Sequence, residues 1–411
     1  MNKRIHFIFL LFVCLGVNLH AQQAITVFDL SNSPLPDNQC RYIAIDSVGK
    51  KWIGTTYGLA VYNDTTWQVY TTLTSGISGN TINHITFDHQ GRVWISTASG
   101  VSVFDGSTWI VYTKANTGNG LSSDYVRTVT IDRFDHAWIG TSGGLDYFDG
   151  TTWTSYDILN SSIPVNVISG IFIESDSIRW IATINGGFAK MTDTSFIYWS
   201  SFNHGFPDNS VLDMRRDTDG TFWLASPSNG LIHFHNGVWV TENTTNSFIP
   251  GNSLSSITID SLENFYIGSY GAGILKRTNG NYVRWDTTSG IPDENIFTVA
   301  LERNGLIWAG TESHGLVRFD ENLWNSIAEQ SQTSFSIYPN PFSDHVTLTS
   351  LENIRGIRVT DVAGSVIYSR EMGNSLPKNL TVDLPALSPG IYFLSADLGN
   401  AIVTKKLFRL K

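Results

Sequence analysis

The amino-acid sequence predicts an all-β protein: a seven-bladed β-propeller of four-stranded blades, followed by a small immunoglobulin-like β-sandwich. Three observations predict this. A phrase of the type W-I-G-T-x-x-G-L recurs seven times at intervals of 42–44 residues. No useful stretch carries apolar residues at helical spacing. After the last copy, the repeat gives way to a different pattern of alternating residues and Pro/Gly turns.

Each copy has an aromatic residue at the same position of the phrase, and a second aromatic follows fifteen or sixteen positions later. The first aromatics, which centre the repeats, are Trp52, Trp94, Trp138, Trp180, Trp223, Tyr266 and Trp308. The second aromatics are Trp67, Trp109, Trp153, Phe196, Trp239, Tyr282 and Trp324. Such regular spacing indicates one structural unit that is repeated seven times.

Each repeat is interpreted as four short strands. The first is apolar and alternating, as in "CRYIAID", and ends at an acid such as Asp46 or Asp132. The "WIGT" strand follows, then a Gly-rich turn and a third strand, and an Asp-Gly or Asn-Gly hairpin leads to the fourth. Four strands in a repeat of 40–45 residues are typical of a propeller blade. Residues 22–328 are therefore predicted to form a seven-bladed ring.

The repeated phrase is explained by packing. A tryptophan on the second strand supplies the large flat group that fills the gap between neighbouring twisted sheets. The glycine after it allows close approach of another backbone. We therefore expect the phrase to build the blade and to carry no chemistry.

The two ends of the ring offer alternative closing strands. The segment "ITVF" at residues 25–28 aligns with the fourth strand of a blade but has no blade before it. It would complete the last blade and remove an exposed edge. The last repeat also has its own candidate, "LWNSI" at residues 323–327. The sequence does not decide between them.

The N-terminus predicts export. Residues 1–21 have the basic start, apolar stretch and small-residue cleavage site of a signal peptide. Their removal takes the formal charge from −10 to −12 and leaves Cys40 as the only cysteine, so no internal disulfide is expected. The acidic chain has no Lys/Arg-rich run, so the positive surface that a nucleic-acid partner requires is not expected. No later segment is apolar for long enough to span a membrane, and we expect a monomer.

The "W-I-G-T-x-x-G-L" and "Y/F-D-G-x-x-W" phrases resemble the two-component-regulator propeller repeats in ectodomains of bacterial hybrid sensor kinases. The resemblance covers some 300 residues and implies a scaffold or ligand sensor without a fixed catalytic motif. This chain differs from those sensors because its sequence contains no kinase and one propeller only.

Residues 335–411 follow a polar linker at 329–334 and are similar to the type A C-terminal sorting domain of the type IX secretion system of Bacteroidetes. The matching pieces are "YPNPF", "VTDVAGSVI", "LSPGIYFL" and the basic end "KKLFRLK". The resemblance implies a small β-sandwich, a partner in the secretion machinery, passage across the outer membrane to the surface or medium, and removal during or after export. We expect the basic end to add little to the core of this domain.

The sequence provides no catalytic set, metal site or cofactor motif. Asp217 and Asp219 lie near a glycine but lack the other ligands of a calcium loop. His233 and His235 are predicted on one strand face without a third metal ligand. There is no G-x-S-x-G elbow, phosphate-binding loop or zinc signature.

Any ligand is expected on one rim of the propeller. The loops between second and third strands and the loops that lead into each first strand lie on the same face, and they vary between copies. Aromatic, amide and acidic side chains there suit a sugar or a peptide. The candidates between second and third strands are Tyr57, Asn185, Asn229, Tyr270, Glu312 and His314, and those in the lead-in loops are Asp37, Asp124, Asp208 and Asp293.

Three hypotheses of function follow. The first is a non-catalytic binding or adhesion protein for a glycan or protein ligand. The second is a secreted carbohydrate-active hydrolase or lyase that uses rim acids, favoured by a buried cluster of carboxylate or histidine in the channel mouth. The third is a ligand-sensing subunit that acts with a separate membrane partner.

Overall fold

The computed structural model of the chain describes residues 24–203, 205–235, 237–324, 335–350, 353–362, 365–372, 378–384, 387–397 and 402–409. The predicted signal peptide (1–21) and linker (329–334) lie outside these residues, so both stay predictions. The regular secondary structure of the described chain is strand, apart from a 3-10 helix at Thr287–Ser289 and a helical turn at 321–324. It divides into two compact units, of which Ile25–Glu321 carries the blades.

Seven four-stranded antiparallel sheets form this unit, which confirms the predicted propeller. The first strand in the chain, β1 (Ile25–Phe28), belongs to the last blade. Blades 1 to 3 consist of β2 (Cys40–Ile45), β3 (Lys51–Thr55), β4 (Leu59–Tyr62) and β5 (Trp67–Tyr70); β6 (Ile82–Phe87), β7 (Val93–Thr97), β8 (Gly100–Phe104) and β9 (Trp109–Tyr112); and β10 (Val126–Ile131), β11 (Ala137–Thr141), β12 (Leu145–Phe148) and β13 (Trp153–Tyr156).

The remaining blades repeat the same order. Blades 4 to 7 consist of β14 (Ile168–Ile173), β15 (Ile178–Thr183), β16 (Phe188–Thr192) and β17 (Ser195–Trp199); β18 (Asp213–Arg216), β19 (Phe222–Ser226), β20 (Gly230–His235) and β21 (Val238–Glu242); β22 (Leu254–Ile259), β23 (Phe265–Ser269), β24 (Ile274–Thr278) and β25 (Asn281–Trp285); and β26 (Ile296–Leu301), β27 (Ile307–Thr311) and β28 (Leu316–Phe319) with β1. The first strands of neighbouring blades contact one another and surround the central channel.

The N-terminal segment closes the ring. Strand β1 pairs antiparallel with β28, with Val27 opposite Val317, and so supplies the outer strand of blade 7. The alternative segment, 323–327, begins in the helical turn, and its last three residues lie outside the described chain. The pairing answers a question that the sequence left open.

The central aromatic of every repeat is buried between blades. Trp52, with the largest exposure among them, is 7% exposed, and Trp308 is fully buried. In four blades the residue before the central aromatic reaches the aromatic of the preceding blade. Phe222, for example, lies 4.6 Å from Trp180, centroid to centroid. At Gly310, a Cβ would lie 2.4 Å from the Cys40 carbonyl oxygen of blade 1. The repeated phrase therefore builds the contacts between blades.

The acid that ends the first strand also has a structural role. In blades 1, 2, 4, 5 and 7 it accepts a hydrogen bond from the indole Nε1 of the tryptophan six residues later. The distance between Trp94 Nε1 and Asp88 Oδ2, for example, is 2.9 Å. A buried indole thus keeps the hydrogen-bond partner that it would otherwise find in water.

The second unit contains a small β-sandwich. Its sheets have the orders β29-β30-β33 and β32-β31-β34-β35, and one core cluster takes side chains from both. The strands are β29 (Phe335–Tyr338), β30 (His345–Ser350), β31 (Gly356–Thr360), β32 (Val366–Glu371), β33 (Asn379–Asp383), β34 (Gly390–Asp397) and β35 (Ile402–Arg409).

The expectation that the basic C-terminal end adds little to this core is wrong. Strand β35 pairs with β34 from Ile402 to Arg409, and Leu407 is fully buried in the core cluster. The lysines at 405 and 406 give the segment a polar character, although it is a strand whose alternate residue, Leu407, faces the core.

Among the residues that the structure describes, none belongs to a helix with the length and apolar character needed to cross a membrane.

Candidate functional site

The loops between second and third strands and the loops that lead into first strands lie at the same ends of the strands. Antiparallel pairing places Cys40, at the start of β2, opposite Thr55, at the end of β3. Backbone bonds join the two kinds of loop between blades, as from Gly100 N–H to the Asp124 carbonyl at 2.7 Å. We call the surface that these loops form the loop face.

Three of the four predicted lead-in acids bind groups of the loop face itself. Asp124 accepts a bond from Lys114 N–H, and Asp208 accepts bonds from the Ser226 and Ser228 hydroxyls. Asp293 accepts bonds from the backbone of two loops and from two side chains. Asp37 is half-buried in the loop that leads into β2. These carboxylates shape the loops on which a ligand would rest.

The predicted residues between second and third strands differ in exposure. The Tyr57 side chain is 65% exposed on blade 1. Asn185 has a left-handed backbone (φ 67°) and is exposed, whereas Asn229 is half-buried and donates to the Pro207 carbonyl. Tyr57 and Asn185 thus present groups to solvent on different blades.

Blades 6, 7 and 1 bring several of the other candidates together. The Tyr270 ring meets Phe297 edge to face at 5.6 Å, and the Arg41 guanidinium lies 5.8 Å from the centre of the Phe297 ring. Glu312 accepts a hydrogen bond from Asn295 at 2.7 Å. Burial raises the pKa of Tyr270, with Arg41 opposing and Glu312 reinforcing the shift.

Next to this group, Asp293, Ser313 and His314 resemble a nucleophilic triad in composition but not in geometry. His314 Nδ1 lies 3.1 Å from Asp293 and 2.9 Å from the Ser313 hydroxyl. A serine–histidine relay needs the serine and the acid on different ring nitrogens, and here both meet Nδ1. Burial alone would raise the pKa of Asp293, but bonds from Asn295, His314 and Ser313 hold it below its usual range.

The sequence reasoning missed a polar cluster inside the channel. The Tyr42 hydroxyl lies 2.9 Å from His84 Nε2, on the first strands of blades 1 and 2. On blade 5, Arg215 donates to Asp213 at 2.7 Å. Burial raises the pKa of Tyr42 to about 12 and, helped by the charge of Arg215, lowers the pKa of His84 to about 3. Tyr42 and His84 are half-buried in the channel, where desolvation disfavours the charged form of each group.

Residues next to this cluster share a feature of the repeat. A β-bulge follows the first residue of the first strand in every blade but the fifth, so the second residue has no direct partner. Bulges redirect side chains and recur near functional sites. The bulged residues vary between blades, unlike the strand core: they are Arg41, Asn83, Arg127, Ser169, Ser255 and Phe297.

The other polar residues weighed in the sequence have structural partners. Asp217 accepts the Trp223 indole bond, and Asp219 bonds the Thr221 hydroxyl. His233 stacks on Trp223 at 4.5 Å, and His235 bonds Thr221. Within the described residues, no group of three or more His, Cys, Asp or Glu could hold a metal ion.

The loop face also exposes large apolar side chains. Leu73, Leu159 and Phe202 each occupy the third position of the turn that leaves a fourth strand, and each is at least 90% exposed. Phe248, in the next lead-in loop, is 88% exposed. These side chains lie on the outer part of the face, because the turns leave outer strands.

Fold and terminal domain together define a class: an exported β-propeller protein with a C-terminal sorting domain. Residues 336–409 match the secretion system C-terminal sorting domain family, and residues 76–99 match the two component regulator propeller family. No curated protein sequence matches the chain.

Solved structures with low sequence identity share the propeller. The extracellular domain of BT3049 from B. thetaiotaomicron, named as a hybrid two component system, has 19% identity and a TM-score of 0.64. PorZ, a surface component of the type IX secretion system of Porphyromonas gingivalis, has 16% identity and a TM-score of 0.59. Each alignment covers 94% of this chain, but the chain spans only 57% and 61% of those two structures.

A third neighbour is an enzyme. Virginiamycin B lyase from Staphylococcus aureus, solved with quinupristin, has 16% identity and a TM-score of 0.58, with 72% of this chain and 98% of the lyase covered. Propellers that resemble this one thus belong to proteins with different activities, so the likeness establishes the fold alone.

The sorting domain fixes the destination. It marks the chain for export through the type IX secretion system, to the cell surface or the medium, and implies contact with that machinery. The chain is therefore a secreted propeller protein.

Proposed function

We propose that this protein is a non-catalytic binding or adhesion protein, and that it holds a protein ligand on the loop face. The observation that carries this proposal is the set of four apolar side chains on that face, Leu73, Leu159, Phe202 and Phe248, each about nine-tenths exposed. Large apolar side chains gathered on one exposed face are typical of surfaces that meet another protein. A single sugar would not span the lead-in loops of four blades.

Rim side chains supply polar contacts inside this apolar margin. Tyr57 is exposed, and Glu312 and His314 are exposed beside the Tyr270–Phe297 pair. Protein-binding interfaces combine apolar and polar groups and are enriched in aromatic residues. We propose the ten rim candidates as the inner part of the same surface.

The test is a capture experiment with the mature chain, 22–411, on outer-membrane and culture fractions of a type IX-competent host, read by quantitative mass spectrometry. Leu73→Ser, Leu159→Ser and Phe202→Ser combined should abolish capture of the partner. The matched control is Val48→Ser, Phe134→Ser and Leu262→Ser, which removes exposed apolar groups from the opposite face. Equal capture by both triple variants would contradict the proposal.

A glycan array with the same three proteins separates a sugar from a protein ligand. If the loop-face triple variant still binds the array, the ligand is a glycan and the proposed protein surface is rejected. Capture of one envelope protein that depends on the loop face would fit the sensor-subunit form of the same binding function.

A secreted hydrolase or lyase is the second candidate, favoured by the half-buried Tyr42–His84 pair in the channel. The protonation behaviour of the two side chains argues against this candidate. An efficient general base has a pKa near the working pH, whereas the pKa of His84 is lowered to about 3 and that of Tyr42 raised to about 12. If the protein turns over polysaccharide substrates and His84→Phe abolishes this turnover, the protein is an enzyme instead.

A further inference from the structure

The channel encloses a cavity of about 170 Å³ to which the first-strand segments of all seven blades contribute. Its charged lining consists of Arg41, Arg127 and Arg215 with one carboxylate, Asp213. The lining therefore carries a net charge of +2 inside a chain whose formal net charge is −10. Positive charge is concentrated here against the trend of the whole molecule.

Only one of the three arginines is neutralised within the lining. Asp213 pairs with Arg215 at 2.7 Å, and its other oxygen accepts a bond from Ile257 N–H. Among the described residues, no carboxylate lies within 4.0 Å of the guanidinium of Arg41 or Arg127. Asn83, on the strand between them, accepts a bond from Arg41 at 3.4 Å and donates to the Val126 carbonyl.

Two side-chain nitrogens in this lining are buried without a partner among the described residues. They are Arg41 Nε and His84 Nδ1. The Tyr42 hydroxyl lies at hydrogen-bond distance from His84 Nε2, 2.9 Å. When Tyr42 donates to Nε2, the His84 ring carries its own proton on Nδ1, which makes this atom a donor.

Unsatisfied buried donors cost free energy unless a ligand accepts their bonds. Arg127 Nε donates to the Ser142 hydroxyl at 3.3 Å, but among the described residues neither Arg41 nor Arg127 has a carboxylate partner. Two guanidiniums and an imidazole N–H offer only donors, so the complementary group is an acceptor with negative charge. Arginine forks match the paired oxygens of carboxylates, sulfates and phosphates. A cavity of this size holds one such group and little more.

We propose that the channel is a binding site for a small oxyanion, held by Arg41, Arg127 and His84. The site adjoins the inner part of the loop face, where Arg41 lies against Phe297 and Arg127 against Tyr125. It binds its anion whether or not that face binds a protein. The oxyanion is either a free inorganic anion or the acidic group of a small organic ligand, such as a uronic acid.

The experiment titrates the mature chain, 22–411, with sodium sulfate, phosphate and glucuronate at constant ionic strength, followed by calorimetry and by the thermal midpoint. We expect saturable binding of at least one probe with one site per chain, and a rise of the midpoint with its concentration. Preference for glucuronate over sulfate and phosphate would identify an organic acid as the source. The absence of binding tighter than about 10 mM for all three probes would overturn the proposal.

Arg41→Gln with Arg127→Gln should weaken binding by roughly tenfold or more, because bonds to charged groups are lost. The control is Arg133→Gln with Arg303→Gln, which makes the same charge change on exposed residues of the opposite face. Equal weakening in both pairs would reduce the effect to overall charge and contradict the site. If Arg41→Gln lowers the midpoint without anion, Arg127→Gln and His84→Phe are each titrated alone. Weaker anion binding in these variants supports the site, and unchanged binding in both contradicts it.

Discussion

Blades 2 and 3 have nearly the same sequence, "VWISTASGVSVFDGSTW" and "AWIGTSGGLDYFDGTTW", but they leave different polar groups unpaired. In blade 2, Trp94 Nε1 donates to Asp88, which also pairs with Arg92 at 2.6 Å. In blade 3, the nitrogen of Trp138 is buried without a partner among the described residues, and the equivalent acid, Asp132, faces His136 at 3.3 Å.

A second difference lies on the third strands. Ser102 of blade 2 exchanges hydrogen bonds with Ser78, whereas blade 3 has Asp146 at this position, fully buried. Asp146 Oδ2 accepts two bonds from Ser122, but Oδ1 has no partner among the described residues. The repeat thus sets backbone and packing in both blades, while single residues decide whether buried polar groups are satisfied.

Blade 7 extends the comparison, because it takes its outer strand from the other end of the chain. We expect a chain that begins at Asn38 to lose more than the about 3–5 kcal/mol typical of one large aromatic side chain. It lacks β1 entirely, including Phe28, which contacts Tyr62, Trp67 and Trp308. Thermal unfolding and light scattering should show a lower midpoint and association through the open edge.

A synthetic peptide of residues 24–37 provides the control for that truncation. It should restore the midpoint by adding the missing strand, and a scrambled peptide should not. A truncated chain with a normal midpoint would mean that residues after 321 occupy the edge.

The inter-blade tryptophans give the next largest effect. Trp94→Ala and Trp138→Ala should each cost about 3–5 kcal/mol, because both side chains are 3% exposed in packed layers. Substitution by phenylalanine distinguishes the two blades. Trp94→Phe loses a hydrogen bond of about 1 kcal/mol, whereas Trp138→Phe removes a nitrogen that has no acceptor among the described residues. Urea denaturation should therefore find Trp138→Phe the milder change, and the reverse order would contradict the comparison.

These contrasts show what the sequence could predict. Spacing, turn residues and alternation recur in every copy, so seven blades and their packed tryptophans followed directly from the pattern. Whether β1 or 323–327 closed the ring did not, because both segments have the alternation of an outer strand. The channel lining was missed for a related reason. A consensus of the seven copies does not contain Arg41, His84 and Arg215, because each of these residue types occurs at its position in only one or two blades.

Asp146 should make the stability of blade 3 depend on pH. Burial raises the pKa of its carboxyl to about 6 from an ordinary value of 3.8. The folded state therefore binds its proton more tightly, and its contribution to stability falls as the pH rises from about 4 to about 6. Asp146→Asn should stabilise the protein by about 1–3 kcal/mol above pH 6 and by nothing below pH 4.

Asp149 in the hairpin of the same blade is the control. It accepts bonds from the backbone and hydroxyls of Thr151 and Thr152, which hold its pKa below the usual range. Asp149→Asn should therefore destabilise at neutral pH, opposite in sign to Asp146→Asn. Midpoints measured between pH 4 and pH 8 distinguish the two, and a pH-independent gain for Asp146→Asn would refute the assignment.

The smallest effect concerns the acids that end the first strands. Asp88→Asn places an amide N–H₂ against the Trp94 indole and the Arg92 guanidinium, and should cost about 1–2 kcal/mol. Asp132→Asn should cost less, because the Trp138 indole makes no bond to Asp132 and the Oδ1 bonds from Phe134 and His136 survive. Combining each change with the Trp→Phe variant of its blade isolates the indole bond. We expect coupling in blade 2 and none in blade 3, since only Trp94 donates to its acid; equal coupling in urea denaturation would mean that the two blades satisfy their tryptophans alike.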